Sequence, residues 1–151
     1  DNDIHFDTIG NRVKLPDPLV DAIEDLEDAS ADNDEMVLQV AVSYGGREEI
    51  LSATRTLADK ARNGDLDPEA IDEEQFSAHL TTAGRPDPDF LIRTSGEIRL
   101  SNFLLWQVAY AEFYFTDTLW PDFDEYDLID AFYEFDRRER RYGKTGEQVD
   151  S

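Results

Sequence analysis

The sequence predicts an α/β fold with a largely parallel sheet, and three observations carry that expectation. Short β-rich runs alternate with helical patterns along the chain, as parallel strands joined by helices require. The run "MVLQVAVSY" (36–44) is apolar enough for a buried central strand. Glycine and proline punctuate the joints between the two kinds of segment.

Each element can be justified in order. "IHFDTIG" (4–10) alternates apolar and polar residues and ends in glycine, so it reads as a strand. In "LPDPLVDAIEDLEDAS", Pro18 follows Asp17 at a helix start, and Leu19, Ile23 and Leu26 recur at helical spacing. Gly45 and Gly46 break the strand that begins at Met36. The segment 47–64 is an amphipathic helix with Ile50, Leu51, Leu57, Ala58 and Ala61 as its stripe and Gly64 as its C-terminal cap. "DPEAIDEEQFSAHL" reads as one or two short helices, and "GRPDPD" as a loop. "FLIRT" (90–94) is a short buried strand, and Ser101 is placed to cap "NFLLWQVAYA" as a helix. "EFYFT" returns to strand character, and "LWPDF" turns. Asp124 caps a last helix whose arginine-rich end, closed by Gly143, suits the helix dipole.

About four strands is few for such a sheet, and the first arrives without a preceding phosphate loop or helix. The chain also starts at Asp1. Together these features predict the C-terminal portion of a larger domain over residues 1–143, followed by a polar tail over 144–151, with the N-terminal part of the domain absent.

Composition bounds the function. Thirty-six acids stand against 14 bases, for a net charge of −22, and only Lys14, Lys60 and Lys144 among the bases are lysines. Such a field repels polyanions, so nucleic acid is excluded as a partner. The acids are spread along the chain, which predicts a surface suited to high salt and a haloarchaeal source. With no cysteine there is no disulfide, thiolate metal site or cysteine nucleophile. No apolar run is long enough to span a bilayer.

Chemistry concentrates in "RTSGEIRLSNFLLWQVAYAEFYF" (93–115). Arg93 ends a strand, at the edge of a parallel sheet where ligands bind. Thr94, Ser95 and Gly96 can donate hydrogen bonds, Arg99 follows, and Ser101 sits at the expected helix N-terminus. Guanidinium groups pair phosphate oxygens bidentately, and helix N–H groups favour anions. Surface ion pairs with the surplus acids account for the same arginines more simply on pattern alone. Glu112, an acid inside an apolar run, needs a partner or a metal, or else points to solvent from a strand edge. Phe103, Leu104, Leu105, Trp106, Val108 and Tyr110 pack a core or a subunit interface more simply than they line a tunnel. His5 and His79 are isolated, and the double glycine of "SYGGR" marks a turn.

Taken together, the segment from Pro88 to Gly143 resembles the cis-prenyltransferases, the undecaprenyl or dehydrodolichyl diphosphate synthases. "RTSGE", "RLSNF", "AYAE" and "LWPDF" carry the resemblance, with "SYGGR" and "IHFDTIGN" upstream. It implies that Arg93, Arg99 and Ser101 hold the diphosphate of isopentenyl diphosphate. Glu112 would help bind Mg2+, across a dimer in some descriptions. Arg141 and Gly143 match an Arg-x-Gly ending that contacts diphosphate. No residue is assigned a catalytic role beyond binding. The implied reaction condenses isopentenyl diphosphate with an allylic prenyl diphosphate, giving a polyprenyl diphosphate used as a glycan carrier. It implies a homodimer in the cytoplasm, at the inner membrane face.

The sequence departs from the family pattern at Ser95, where the family has glycine, and at Ile98, where a polar residue is common. The family's N-terminal Asp-Gly-Asn phosphate loop, which binds the allylic diphosphate, is absent from these residues. The chain alone is therefore expected to be inactive. A non-catalytic subunit of a heteromeric prenyltransferase and a free-standing anion-binding module are the competing readings.

Overall fold

A computed structural model of the chain describes residues 3–138. Arg141, Gly143 and the tail over 144–151 lie outside the described residues. The chain divides into two compact units, Asp1–Arg85 and Pro86–Ser151.

In the first unit, β1 (Ile4–Ile9) pairs in parallel with β2 (Met36–Ala41), Ile4 facing Met36 and Ile9 facing Ala41. Parallel strands need a crossover, and α1 (Asp17–Ala29) supplies it. Pro18 lies in its first turn, where a missing N–H costs nothing. Ser30 then ties the end of α1 to β1. Its Oγ accepts from the Phe6 N–H at 2.9 Å, and its carbonyl lies 3.1 Å from His5 Nδ1. Ile9 and Ile23 are buried.

Two expectations about this unit change. The strand expected to be central and buried is largely exposed, with Met36 51% and Leu38 47% accessible. Among the described residues this sheet has two strands, so β2 is paired along one edge and most of its residues are exposed. The stripe of α2 (Gly46–Asn63) is also rotated from the expected one. Its buried face is Gly46, Glu49, Ala53 and Leu57, whereas Leu51 is 52% exposed. Apolar spacing placed the face correctly at Leu57 but could not show that a carboxylate, Glu49, belongs to it. Gly64 closes α2 in a left-handed conformation, its N–H reaching the carbonyls of Lys60 and Ala61. A single turn at Pro68–Ala70 and the short α3 (Glu73–Ser77) follow, as expected.

The second unit pairs β3 (Phe90–Arg93) with β4 (Glu112–Phe115), again in parallel. The helix expected after Ser101 does not form. Ser101, Asn102 and Leu104 have positive φ, at 49°, 66° and 42°. Residues 101–110 run as successive turns, with Gln107 and Val108 buried. Left-handed residues cannot continue a right-handed helix, which is why a strong apolar pattern fails to become one. After a turn at Trp120–Asp122, α4 (Glu125–Asp136) begins in a reciprocal cap. The Asp124 side chain accepts from the Asp127 N–H at 3.2 Å, and the Asp127 side chain accepts from the Asp124 N–H at 3.1 Å. The helix ends at Asp136, before the arginines expected in its last turn. The Phe90 ring lies 4.8 Å from Phe135, 6.1 Å from Phe132 and 6.3 Å from Tyr114 by centroids, so α4 covers β3 and β4 with aromatic contacts.

Two positions make this backbone testable. At Gly10 (φ +120°), an added Cβ would stand 2.1 Å from the Val42 carbonyl oxygen. Gly10→Ala is therefore expected to cost on the order of 3 kcal/mol in chemical denaturation, through clash and strain together. At Ser95 (φ +67°), a side chain occupies a conformation that glycine prefers. Ser95→Gly is expected to raise stability by about 0.5–1 kcal/mol, the left-handed penalty less the added chain entropy.

Candidate functional site

The site is built from the end of β3. Arg93 is the last residue of the strand, and the chain then turns through Thr94, Ser95 and Gly96. Ser95 and Gly96 both have φ +67°. Their N–H groups bond the carbonyls of Thr118 and Thr116 at 2.8 and 2.9 Å. These two donors, expected to be free for an anion, therefore hold the turn onto the segment after β4 instead. The absent helix removes a third expected contribution, the helix N-terminus at Ser101. Ser101 is exposed on a left-handed backbone.

The side chains do gather. Arg93 Nη1 donates to the Arg99 carbonyl. Arg93 Nη2 lies 3.8 Å from Glu97 Oε2, and Arg99 Nη2 pairs with the same oxygen. Two guanidinium groups six residues apart thus meet over one carboxylate. Arg99 remains 68% exposed and Arg93 26% exposed, so both have donors to offer an incoming group. Sequence reasoning passed over Glu97. Its position four residues after Arg93 and two before Arg99 was the signal, because a short turn brings those positions together.

Glu112 does not join them within one chain. It opens β4 opposite Phe90, whereas Arg93 faces Phe115 at the other end of the pair. Three residues of strand separate the two ends, about 10 Å. Glu112 Oε2 accepts from Arg138 Nη1 at 3.1 Å, and the same nitrogen donates to the Phe113 carbonyl at 2.7 Å. Both side chains of the pair are about one-third exposed. Arg138 is thus a further residue that the sequence reading did not single out. Among the described residues, no group of three or more histidine, aspartate or glutamate side chains could hold a metal ion. One carboxylate bound to a guanidinium does not by itself fit magnesium, which favours carboxylate together with phosphate oxygens.

The first unit carries a cleft of about 350 Å3 at the C-terminal ends of β1 and β2, lined by Gly10, Asn11, Arg12, Ser43, Tyr44 and Glu49 among others. The "SYGGR" turn forms part of its wall. Glu49 is buried and accepts from the Tyr44 hydroxyl and from the Thr81 N–H and hydroxyl. Arg12 is bonded to Glu27 and Thr8, and nearby Lys14 to Glu48. Lys14 and Asn11 together hold the Glu48 carboxyl below its ordinary range by hydrogen bonding to its charged form. Arg12 and Lys14 are each matched by a carboxylate of their own, whereas Arg93 and Arg99 share one.

Parallel strand pairs, a guanidinium pair at a strand's C-terminal end and α/β packing define the class: an α/β protein whose strand end presents two guanidinium groups, side chains that can pair with an anion. The chain belongs to the family described as "Putative undecaprenyl diphosphate synthase", whose model matches residues 1–143. It is 51% identical over 148 residues to the ditrans,polycis-undecaprenyl-diphosphate synthase of Vibrio cholerae, covering 98% of this chain and 59% of that one. It is 54% identical over 135 residues to the isoprenyl transferase of Bacillus subtilis, covering 89% of this chain and 52% of that one. Among solved structures, lavandulyl diphosphate synthase from Lavandula x intermedia, in complex with dimethylallyl diphosphate, superposes with a TM-score of 0.91 at 48% identity. The match covers 93% of this chain and 61% of that one. The chain therefore spans somewhat more than half the length of the relatives it matches.

The Glu112–Arg138 pair yields a direct measurement. A double-mutant cycle with Glu112→Gln and Arg138→Gln is expected to give a coupling of about 0.5–1 kcal/mol, the size of a partly exposed ion pair. A coupling near zero would mean that the contact does not hold α4's end against β4.

Proposed function

We propose that this chain carries the isopentenyl diphosphate half-site of a cis-prenyltransferase. The convergence of Arg93 and Arg99 at the end of β3 carries the reading, and family membership supports it. Lavandulyl diphosphate synthase is a relative whose solved complex holds an allylic diphosphate, which fits a diphosphate-handling fold.

In this reading an allylic diphosphate loses its diphosphate by C–O cleavage. The double bond of isopentenyl diphosphate attacks the resulting cation, forming a new C–C bond. A proton is then lost from the adjacent carbon, leaving a cis double bond in a chain one isoprene unit longer. Arg93 and Arg99 hold the bystander diphosphate and so fix the attacking alkene in place. Ser101 is proposed to add a hydroxyl contact to the same group. Arg141 and Gly143 keep the diphosphate-contact role that the resemblance implies. A magnesium role for Glu112 requires ligands that the described residues do not supply, so no step is assigned to the metal.

The whole enzyme is proposed to be a homodimer acting at the inner face of the cytoplasmic membrane. Support for a subunit interface comes from α4, whose Tyr126, Phe132 and Tyr133 are 69%, 52% and 67% exposed. No helix among the described residues is long and apolar enough to cross a membrane.

Titration calorimetry of the chain with isopentenyl diphosphate tests the reading. Arg93→Ala and Arg99→Ala are each expected to weaken binding about tenfold or more, as loss of a charge-assisted contact predicts. Unchanged affinity in both variants would refute it. The chain alone should show no incorporation of radiolabelled isopentenyl diphosphate.

The net charge of −22 is read as adaptation to concentrated salt. Because screening relieves self-repulsion, the melting temperature should climb as KCl rises from 0.1 to about 2 M. A flat or falling curve would oppose that reading.

A further inference from the structure

We infer that Glu97 is an internal counter-ion that occupies the arginine pair until a diphosphate displaces it. The inference rests on the proposed isopentenyl diphosphate site and adds a device that sets which anions can fill it. Glu97 Oε2 is shielded from solvent and within ion-pair distance of both Arg93 and Arg99, yet accepts no hydrogen bond of good geometry, so it is held by charge and is readily exchanged. No other acid is shared by these two guanidinium groups among the described ion pairs. A carboxylate and a phosphate oxygen ask for the same donors, so both cannot fully use them at once. Arg93 is additionally held by the Arg99 carbonyl, so the pair keeps its spacing when the carboxylate leaves. Glu97 itself lies on the turn segment between the arginines, in neither strand, and its side chain is 36% exposed, which leaves it a way out.

The consequence is quantitative. A tethered competitor lowers the apparent affinity of every incoming anion by the same factor, because the competent state is only partly populated. Such a factor matters little for a magnesium-free or magnesium-bound diphosphate that binds tightly. It pushes a weakly held monoanion such as chloride above its ambient concentration. Glu97 therefore keeps the arginine pair clear of small anions without a steric gate, a useful property where salt is concentrated.

The test compares the wild-type chain with Glu97→Gln by calorimetry, using inorganic pyrophosphate and isopentenyl diphosphate at constant ionic strength, with chloride exchanged for a large non-coordinating anion. Arg99→Ala serves as the site control. Glu97→Gln is expected to bind pyrophosphate roughly threefold to tenfold more tightly, the range set by releasing two partly exposed ion pairs. Restoring chloride should weaken pyrophosphate binding more in Glu97→Gln than in wild type. Glu97→Ala is a second variant with the same expected direction, and far-ultraviolet circular dichroism checks that each is folded. Equal or weaker binding by folded Glu97→Gln and Glu97→Ala, with Arg99→Ala still impaired, overturns the counter-ion role and leaves the diphosphate site standing. No pyrophosphate binding by any folded variant, wild type included, overturns both.

Discussion

The structure of the arginine site depends on one constraint, the clamping of the Ser95–Gly96 turn onto the segment after β4. Two backbone N–H groups, bonded to the Thr118 and Thr116 carbonyls, fix a pair of left-handed residues directly after Arg93. Even at Gly96 there is little spare room, since a Cβ would sit 3.0 Å from Asp117 Oδ1. That turn reverses the chain so that Glu97 and Arg99 come back beside Arg93. It also uses up the backbone donors that could have served an anion, which leaves recognition to side chains. Backbone strain gathers here: Ser95, Ser101, Asn102 and Leu104 all sit at positive φ in the segment that carries the arginines.

The parallel pairing of β3 and β4 imposes a second consequence. Parallel register puts the start of β4 beside the start of β3, so Glu112 is carried to the end of the pair opposite Arg93. At that end it meets Arg138, whose guanidinium also caps the Phe113 carbonyl. The carboxylate is therefore part of the contact between β4 and the chain following α4. A gathered triad of two guanidiniums and Glu112 does not exist within one chain.

Charge acts on two scales. Over the whole molecule, the excess of acids repels polyanions and is damped by salt over about a nanometre or less. Within the turn at the end of β3, Arg93 and Arg99 converge on the single carboxylate of Glu97, so cationic groups are concentrated there. Charges in contact there interact over distances shorter than the screening length, so the distant acids weigh less than the near guanidinium groups. The cleft of the first unit shows the opposite arrangement. Arg12 in its wall is bonded to Glu27 and nearby Lys14 to Glu48, so each of these two cations has a carboxylate of its own.

The sequence by itself determined the element types wherever local physics is strong. Alternation located β1, β-rich and apolar runs located β2, β3 and β4, and helical spacing located α1 and α2; Gly64 and Asp124 located the end of α2 and the start of α4; and "RTSGEIRLSN" located the arginines. It did not determine the segment after Ser101, where apolar periodicity favoured a helix and backbone reversals at Ser101, Asn102 and Leu104 prevailed. Only tertiary structure decided that β2 is exposed, that Glu49 belongs to the buried face of α2, and that Glu97 rather than Glu112 meets the arginines. The physical reason is that spacing reports which residues share a face of one element. Which faces are covered, and which charges meet, depends on contacts between residues far apart in the chain or across turns whose φ values the residue types alone do not reveal.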